Sequence, residues 1–290
     1  MILQLLINGL IIGAIYALVA SGFSIIYSTC KFFNFAHGAV VSLSAYFLFF
    51  LSSLLNLNFY LAVILTIIFS GLVGLIMNYI YKQLRRRKTS SALLLLASFA
   101  ILIFCESIIL IFFGANVKNF EPLQFTGGIN FGGAIITPLQ VGIIITSIIV
   151  LILLIILMKG TKIGKAMRAV SDNKETAEII GIDSEKIYTL SMVIGSIIAG
   201  IAGILIGLEQ NLTPTMGTYL VVKSFAGVVI GGIGSILGAI LGSFFLGLVE
   251  NLGIWFLPSG YQDAITFIIL FIFLIFRPRG LLGIKNILSK

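Results

Sequence analysis

The chain runs to 290 residues, of which 59% are hydrophobic and 10% charged, and its formal net charge is +8. Apolar runs of about 20 residues match the hydrocarbon thickness of a bilayer, which excludes a water-soluble globular protein. The Ile/Leu/Phe runs lack the alternation of a barrel, so the fold class is an all-α polytopic membrane bundle of about 8 to 9 spans.

In chain order, apolar spans are predicted at Leu3–Tyr27, Phe33–Leu54, Phe59–Tyr81, Ala92–Phe113, Leu139–Met158, Ile187–Leu208, Ser235–Phe256 and Tyr261–Phe276. The first lacks the basic leader of a cleaved signal and reads as a retained helix. Basic residues cluster at Lys82–Lys88, across 159–186 and after the last span at Arg277, Arg279, Lys285 and Lys290. With Lys31 these account for sixteen of the 18 basic residues, a distribution that marks cytoplasmic loops and not a nucleic-acid surface. Parity then places the N-terminus outside and makes a short glycine-rich run, Tyr219–Gly232, a broken crossing or a re-entrant hairpin. Two outer loops follow, Gly114–Pro138 with Pro122 and paired glycines, and Glu209–Thr218 with Pro214. Tyr60, Tyr81, Tyr188, Trp255 and Tyr261 fall at span ends and are expected to anchor there.

Seven of the 31 glycines lie between Gly227 and Gly247. Gly234, Gly238 and Gly242 recur every four residues, a spacing that lets a neighbouring backbone approach. The doublet Gly231-Gly232 interrupts a span and is expected to end a half-helix. A weak internal echo links Lys31–Phe47 with Val221–Ile240, as in transporters built from repeats.

Polar groups inside the spans are few. His37 is the only histidine, with Asn34 one turn before it and Gly38 beside it. These read either as satisfied structural groups or as a break lining a path. Glu106 sits inside an apolar run, where a carboxyl costs roughly 2.5–3.5 kcal/mol on insertion scales, so it should face a polar cavity or make an interhelical hydrogen bond. Lys223, Glu209 and Glu250 are expected at the outer surface. Cys30 and Cys105 form no metal or disulfide spacing. Nothing assembles a nucleophile with a base, so an enzyme is a poor reading.

Residues 159–186 differ from the other inner loops in length and mixed charge, with six basic and five acidic residues. Ile163, Ala166, Met167 and Val170 recur at helical spacing, with Lys162, Lys165 and Arg168 on other faces. Asp172 offers an N-cap with Glu175 three residues on, Ala177 and Ile180 share a face, and Gly181 is a C-terminal stop. A short mixed-charge helix is expected there, solvated or lying in a partner's groove. "GTKIGKA" at Gly160 has three residues between its glycines where a phosphate-binding loop needs four, so any ATP hydrolysis belongs to a separate subunit.

Three stretches, "NFAHGAVVSLSAY", "GTKIGKAMRAVSDNKETAEIIGID" and "FAGVVIGGIGSILGAILGS", resemble branched-chain amino acid ABC transporter permeases of the LivH type, in order and spacing from about Gly9 to Gly283. The resemblance implies one permease domain over residues 1–290, with the coupling loop 159–186 inside it, in a bacterial plasma (inner) membrane. It implies two cytoplasmic ATP-binding subunits, a homologous second permease and a periplasmic or extracellular substrate-binding protein, and no cofactor. Glu175, Ala177, Gly181 and Ile182 match the family's E-x-A-x-x-x-G-I docking motif, with Thr176 where its second alanine stands. Coupling is thereby assigned to Arg168, Asp172, Glu175, Ala177 and Gly181, and the substrate path to Asn34, His37, Gly38, Glu106, Gly231 and Gly232. The implied cargo is leucine, isoleucine or valine. Urea or short-chain amides suit the same pattern, and an ATP-independent channel or carrier is the remaining class.

Overall fold

The structure is a computed structural model and describes residues 2–120 and 127–283. Pro122, Lys285 and Lys290 lie outside the described residues. Helices α1 (Ile2–Cys30), α2 (Ala36–Phe49, closed by a π turn at Phe50–Leu54), α3 (Phe59–Arg86) and α4 (Ser91–Phe113) form the first half. A hairpin of β1 (Ile129–Phe131) and β2 (Ala134–Ile136) precedes α5 (Pro138–Gly160), α6 (Lys162–Asp172) and α7 (Lys174–Ile179). The second half is α8 (Ser184–Glu209), α9 (Met216–Gly231), α10 (Ile236–Gly253) and α11 (Gln262–Phe276). Seven of these helices are long and apolar enough to cross a membrane, counting α2 with its π turn, and α9 and α11 are shorter apolar helices.

The two halves are arranged as inverted counterparts. α10 packs along α1 as α3 packs along α8, and α11 packs on α9 as α4 packs on α2. The helices meet at reciprocal glycines: Gly22 of α1 lies against the Gly195 carbonyl of α8, and Gly195 against the Gly22 carbonyl. Gly38 and Gly217, at the starts of α2 and α9, face each other's carbonyls in the same way. Inverted-topology repeats are a common plan of transporters. The echo expected between 31–47 and 221–240 is therefore displaced: the counterpart of the break after α1 is 210–215, upstream of the glycine-rich run.

Those breaks reach into the bundle. Val41 lies beside Gly203, so α2 begins near the middle of α8 and not at its end. The second span thus starts at Ala36, and residues 31–35 climb back among the helices as irregular backbone. Hydropathy misses this, because Phe33 and Phe35 are as apolar extended as they are helical. Such backbone survives away from water only where protein groups satisfy it. Ser98 of α4 accepts from the Phe35 amide at 3.1 Å and donates to the Phe33 carbonyl. At the second break Ser42 of α2 accepts from the Gly217 amide at 2.8 Å and donates to the Pro214 carbonyl, while Leu212 and Lys118 exchange backbone hydrogen bonds.

The glycine stripe is used as the spacing suggests, with one exception. Gly238 and Gly242 of α10 meet Gly231 and Gly227 of α9, and Gly247 meets Gly9 and Gly13 of α1. A stripe of hydrogens lets backbones touch. Gly234 lies outside the helix with φ +88° and takes no part in the stripe. Two of the expected anchors are also reassigned. Tyr81 is fully buried, donating to Asn34 Oδ1 at 2.7 Å, and Tyr188 is buried beneath Arg85. Tyr60, Trp255 and Tyr261 are exposed.

Candidate functional site

At the inner end, α5 passes into α6 with Thr161 capping the new helix through Gly164 N–H. Gly164, Met167 and Val170 turn inward and Ile163 faces out, so the buried stripe is one residue narrower than the spacing suggests. Arg168 folds back to donate to the Met158 carbonyl at the end of α5. Asp172 is the last residue of α6, and Asn173 caps α7 by accepting from Thr176 N–H at 3.0 Å. The cap thus lies one residue later than expected. Asn serves as well as Asp at that position, and a turn of α6 has already claimed Asp172.

α7 ends at Gly181, whose φ of +87° is a left-handed conformation glycine adopts freely. The Gly181 amide bonds the Glu178 carbonyl and the Ile182 amide the Ala177 carbonyl, the paired bonds of a Schellman stop. Ala177 is buried against the α7–α8 corner, while Ile180 faces solvent and does not share its face. Ile179 is 84% exposed and Ile180 68%, beside the exposed Glu175 and Glu178. Ser184 Oγ holds Glu178 at 2.5 Å, and Lys174 lies 3.7 Å from it. Asp183 caps α8 by accepting from Glu185 and Lys186 amides, and those bonds hold its carboxyl below the usual aspartate range. Arg85 pairs with Glu185 at 3.2 Å, tying α3 to the base of this projection.

Behind α6 lies an inner pocket of about 280 Å³, bounded by Arg168, Asp172 and Met167 on one wall and Gly234–Leu237 on the other. The α9–α10 connection therefore faces the α6 segment across this pocket. Gly231 and Gly232 end α9 at this inner rim, Gly232 with φ +115°. The chain after α11 returns to close that end, with Leu281 and Leu282 amides donating to the Ile230 and Gly231 carbonyls at 2.8 Å. α9 thus runs from the interior break to the inner rim, a short crossing and not a hairpin.

The other residues read as path candidates sit in two places. Asn34, His37 and Gly38 are buried at the first break. The His37 ring rests on Gly22 and edge-on to Phe23, and its nitrogens have no hydrogen-bond partner among the described residues. Glu106 accepts from Thr218 Oγ1 at 2.5 Å, an interhelical bond to the first turn of α9. That position faces the positive end of the α9 dipole, which favours a carboxylate. Gly38 and Glu106 both border the start of α9, whereas Gly231 and Gly232 lie at its far end.

A polar cleft of about 750 Å³ opens at the outer end, among α1, the second break, α9, α10 and α11. Spacing gave no sign of it. Lys223 and Glu250, expected at the surface, are paired inside the cleft, Glu250 buried and Lys223 partly so, with side chains 3% and 16% exposed. Lys223 also reaches Asp263 at 2.9 Å, and Tyr16 donates to Glu250 at 3.2 Å. Glu209 accepts from Gln140 at 2.9 Å on the opposite wall. The signal lay in three charges in apolar runs on three helices, but only packing brings them together.

A sequence profile described as the branched-chain amino acid transport system / permease component matches residues 5–274. The chain is 31% identical to the high-affinity branched-chain amino acid transport system permease protein BraD of Pseudomonas aeruginosa, covering 97% of this chain and 95% of that protein. It is 30% identical, over 97% and 95%, to the LivH permease protein of the corresponding system of Escherichia coli. Among solved structures, PsaBC from Streptococcus pneumoniae in complex with Fab shares the fold, with a TM-score of 0.51 at 16% identity, over 93% of this chain and 90% of that one.

Proposed function

The chain belongs to the family of branched-chain amino acid transport permease components, and on that premise we propose that it is the membrane half of an ATP-driven importer of leucine, isoleucine or valine. Two cytoplasmic ATP-binding subunits drive it, a homologous second permease completes the channel, and an external binding protein delivers the cargo at the bacterial inner membrane. The observation that carries the reading is α7. A six-residue helix held rigid by Asn173 at one end and Gly181 at the other presents Ile179 and Ile180 to solvent, beside Glu175. Exposed isoleucines on a stiff polar projection suit a groove on another protein.

Arg168 and Asp172 line the pocket shared with the α9–α10 connection, so a push on α7 travels through α6 to α9. α9 begins at the interior break beside Gly38 and Glu106, which supports a path running past that break. Asn34 and His37 support the first break, which faces it through Gly38, and Gly231 with Gly232 form the hinge at the inner rim. The test is co-purification with the ATP-binding subunits encoded beside the chain. Glu175→Ala with Ile179→Ser should abolish retention of those subunits and ATP-dependent leucine uptake in proteoliposomes. Uptake of leucine down its gradient without the ATP-binding subunits would sink the proposal in favour of a channel.

A further inference from the structure

The outer cleft is lined mainly by polar side chains and holds a buried carboxylate, Glu250. Its volume of about 750 Å³ lies within the roughly 300–1,000 Å³ of small-molecule sites. Its lining brings the apolar Ile12, Met216 and Leu220 beside the charge trio Lys223, Glu250 and Asp263, with Glu209 across the cleft. Within that trio the arms differ. Glu250 is buried and doubly held, by Lys223 and the Tyr16 hydroxyl. Asp263 holds Lys223 from the first turn of α11 and is 57% exposed. The Lys223–Glu250 arm is fixed, because separating it leaves a buried charge, whereas the Lys223–Asp263 arm can open to water at little cost.

We propose that this cleft is an exchange site for an α-amino acid zwitterion, whose carboxylate takes the place of Asp263 on Lys223 while its ammonium moves onto the released Asp263. The proposal rests on the importer reading and gives its cargo a binding site in the membrane bundle. The swap keeps every charge paired. A simple anion leaves Asp263 to water and a neutral amide leaves Lys223 held by Glu250 alone, so neither reproduces both pairs. The substrate's branched side chain then faces Ile12, Met216 and Leu220. No bond is made or broken beyond the ion pairs.

The experiment uses the full complex in proteoliposomes, with radiolabelled L-leucine uptake and ATP hydrolysis measured together. Asp263→Asn is expected to lower leucine moved per ATP by about tenfold. Asp263→Glu should retain transport. Lys223→Met with Glu250→Gln, which removes the fixed pair as a unit, should reproduce the loss. In the unaltered complex L-leucine should protect Asp263 from carbodiimide coupling, while 4-methylpentanoate and isopentylamine should not. An unchanged leucine-to-ATP ratio in Asp263→Asn or absence of protection overturns the site. Absence of ATP-dependent uptake by the unaltered complex overturns the importer reading instead.

Discussion

The two ends of this molecule reverse the ordinary rule of burial in opposite directions. At the outer end the bundle buries charge, with Lys223 and Glu250 packed between α9 and α10. At the inner end α7 leaves Ile179 and Ile180 in solvent. A buried pair is costly to desolvate and stabilises only while intact, whereas an exposed isoleucine contributes nothing to this chain alone. Damage at the outer end should therefore register as lost stability, and damage at the inner end as lost assembly.

The largest effect is expected from Lys223→Met, which strands the Glu250 carboxylate. It should cost roughly 3–5 kcal/mol, read as a lower unfolding temperature in detergent, and adding Glu250→Gln should restore most of it. Gly217→Val forces a side chain between the starts of α2 and α9, where the Gly38 carbonyl already lies. Overpacking of that kind costs about 1–3 kcal/mol, and a variant as stable as the parent would show that the two breaks do not meet. Asn173→Ala removes the α7 cap for about 1 kcal/mol, seen as faster amide exchange over 174–180 with global stability little changed. Ile179→Ser with Ile180→Ser should leave unfolding unchanged within about 0.5 kcal/mol and still release the ATP-binding subunits. If that pair destabilises the isolated chain instead, the contrast between the ends is wrong. The smallest effect concerns pH. Because Asp183 has a depressed pKa, its cap is in place above the ordinary aspartate value and is lost as pH falls through the folded value. Amide exchange at the start of α8 should quicken in acid, and Asp183→Asn should remove that dependence.

Much of this arrangement is legible in the residues one after another. The spans, the inner basic loops and the folded projection all follow from local pattern, and Gly181 as a stop follows from its need for a left-handed backbone. The cap was misplaced by one residue because Asp172 and Asn173 are equivalent as acceptors, and which is chosen depends on how far α6 runs. Tyr81 reads as an interface anchor from its place near a span end, and only the neighbouring break supplies Asn34 as its partner. The glycine doublet ends α9 as its sequence suggests, whereas the break at the start of α9 is made by Pro214 and by Ser42 of the distant α2, which no local pattern joins.

What the sequence alone determined is the membrane bundle and the short capped helix between α6 and α8, because hydropathy and helix capping act over a few residues. Only the tertiary structure decided that α2 and α9 start at facing glycines inside the bundle, and that Lys223, Glu250 and Asp263 share one cleft. Those facts depend on which faces of helices far apart in the chain come within contact, and no local pattern encodes that distance.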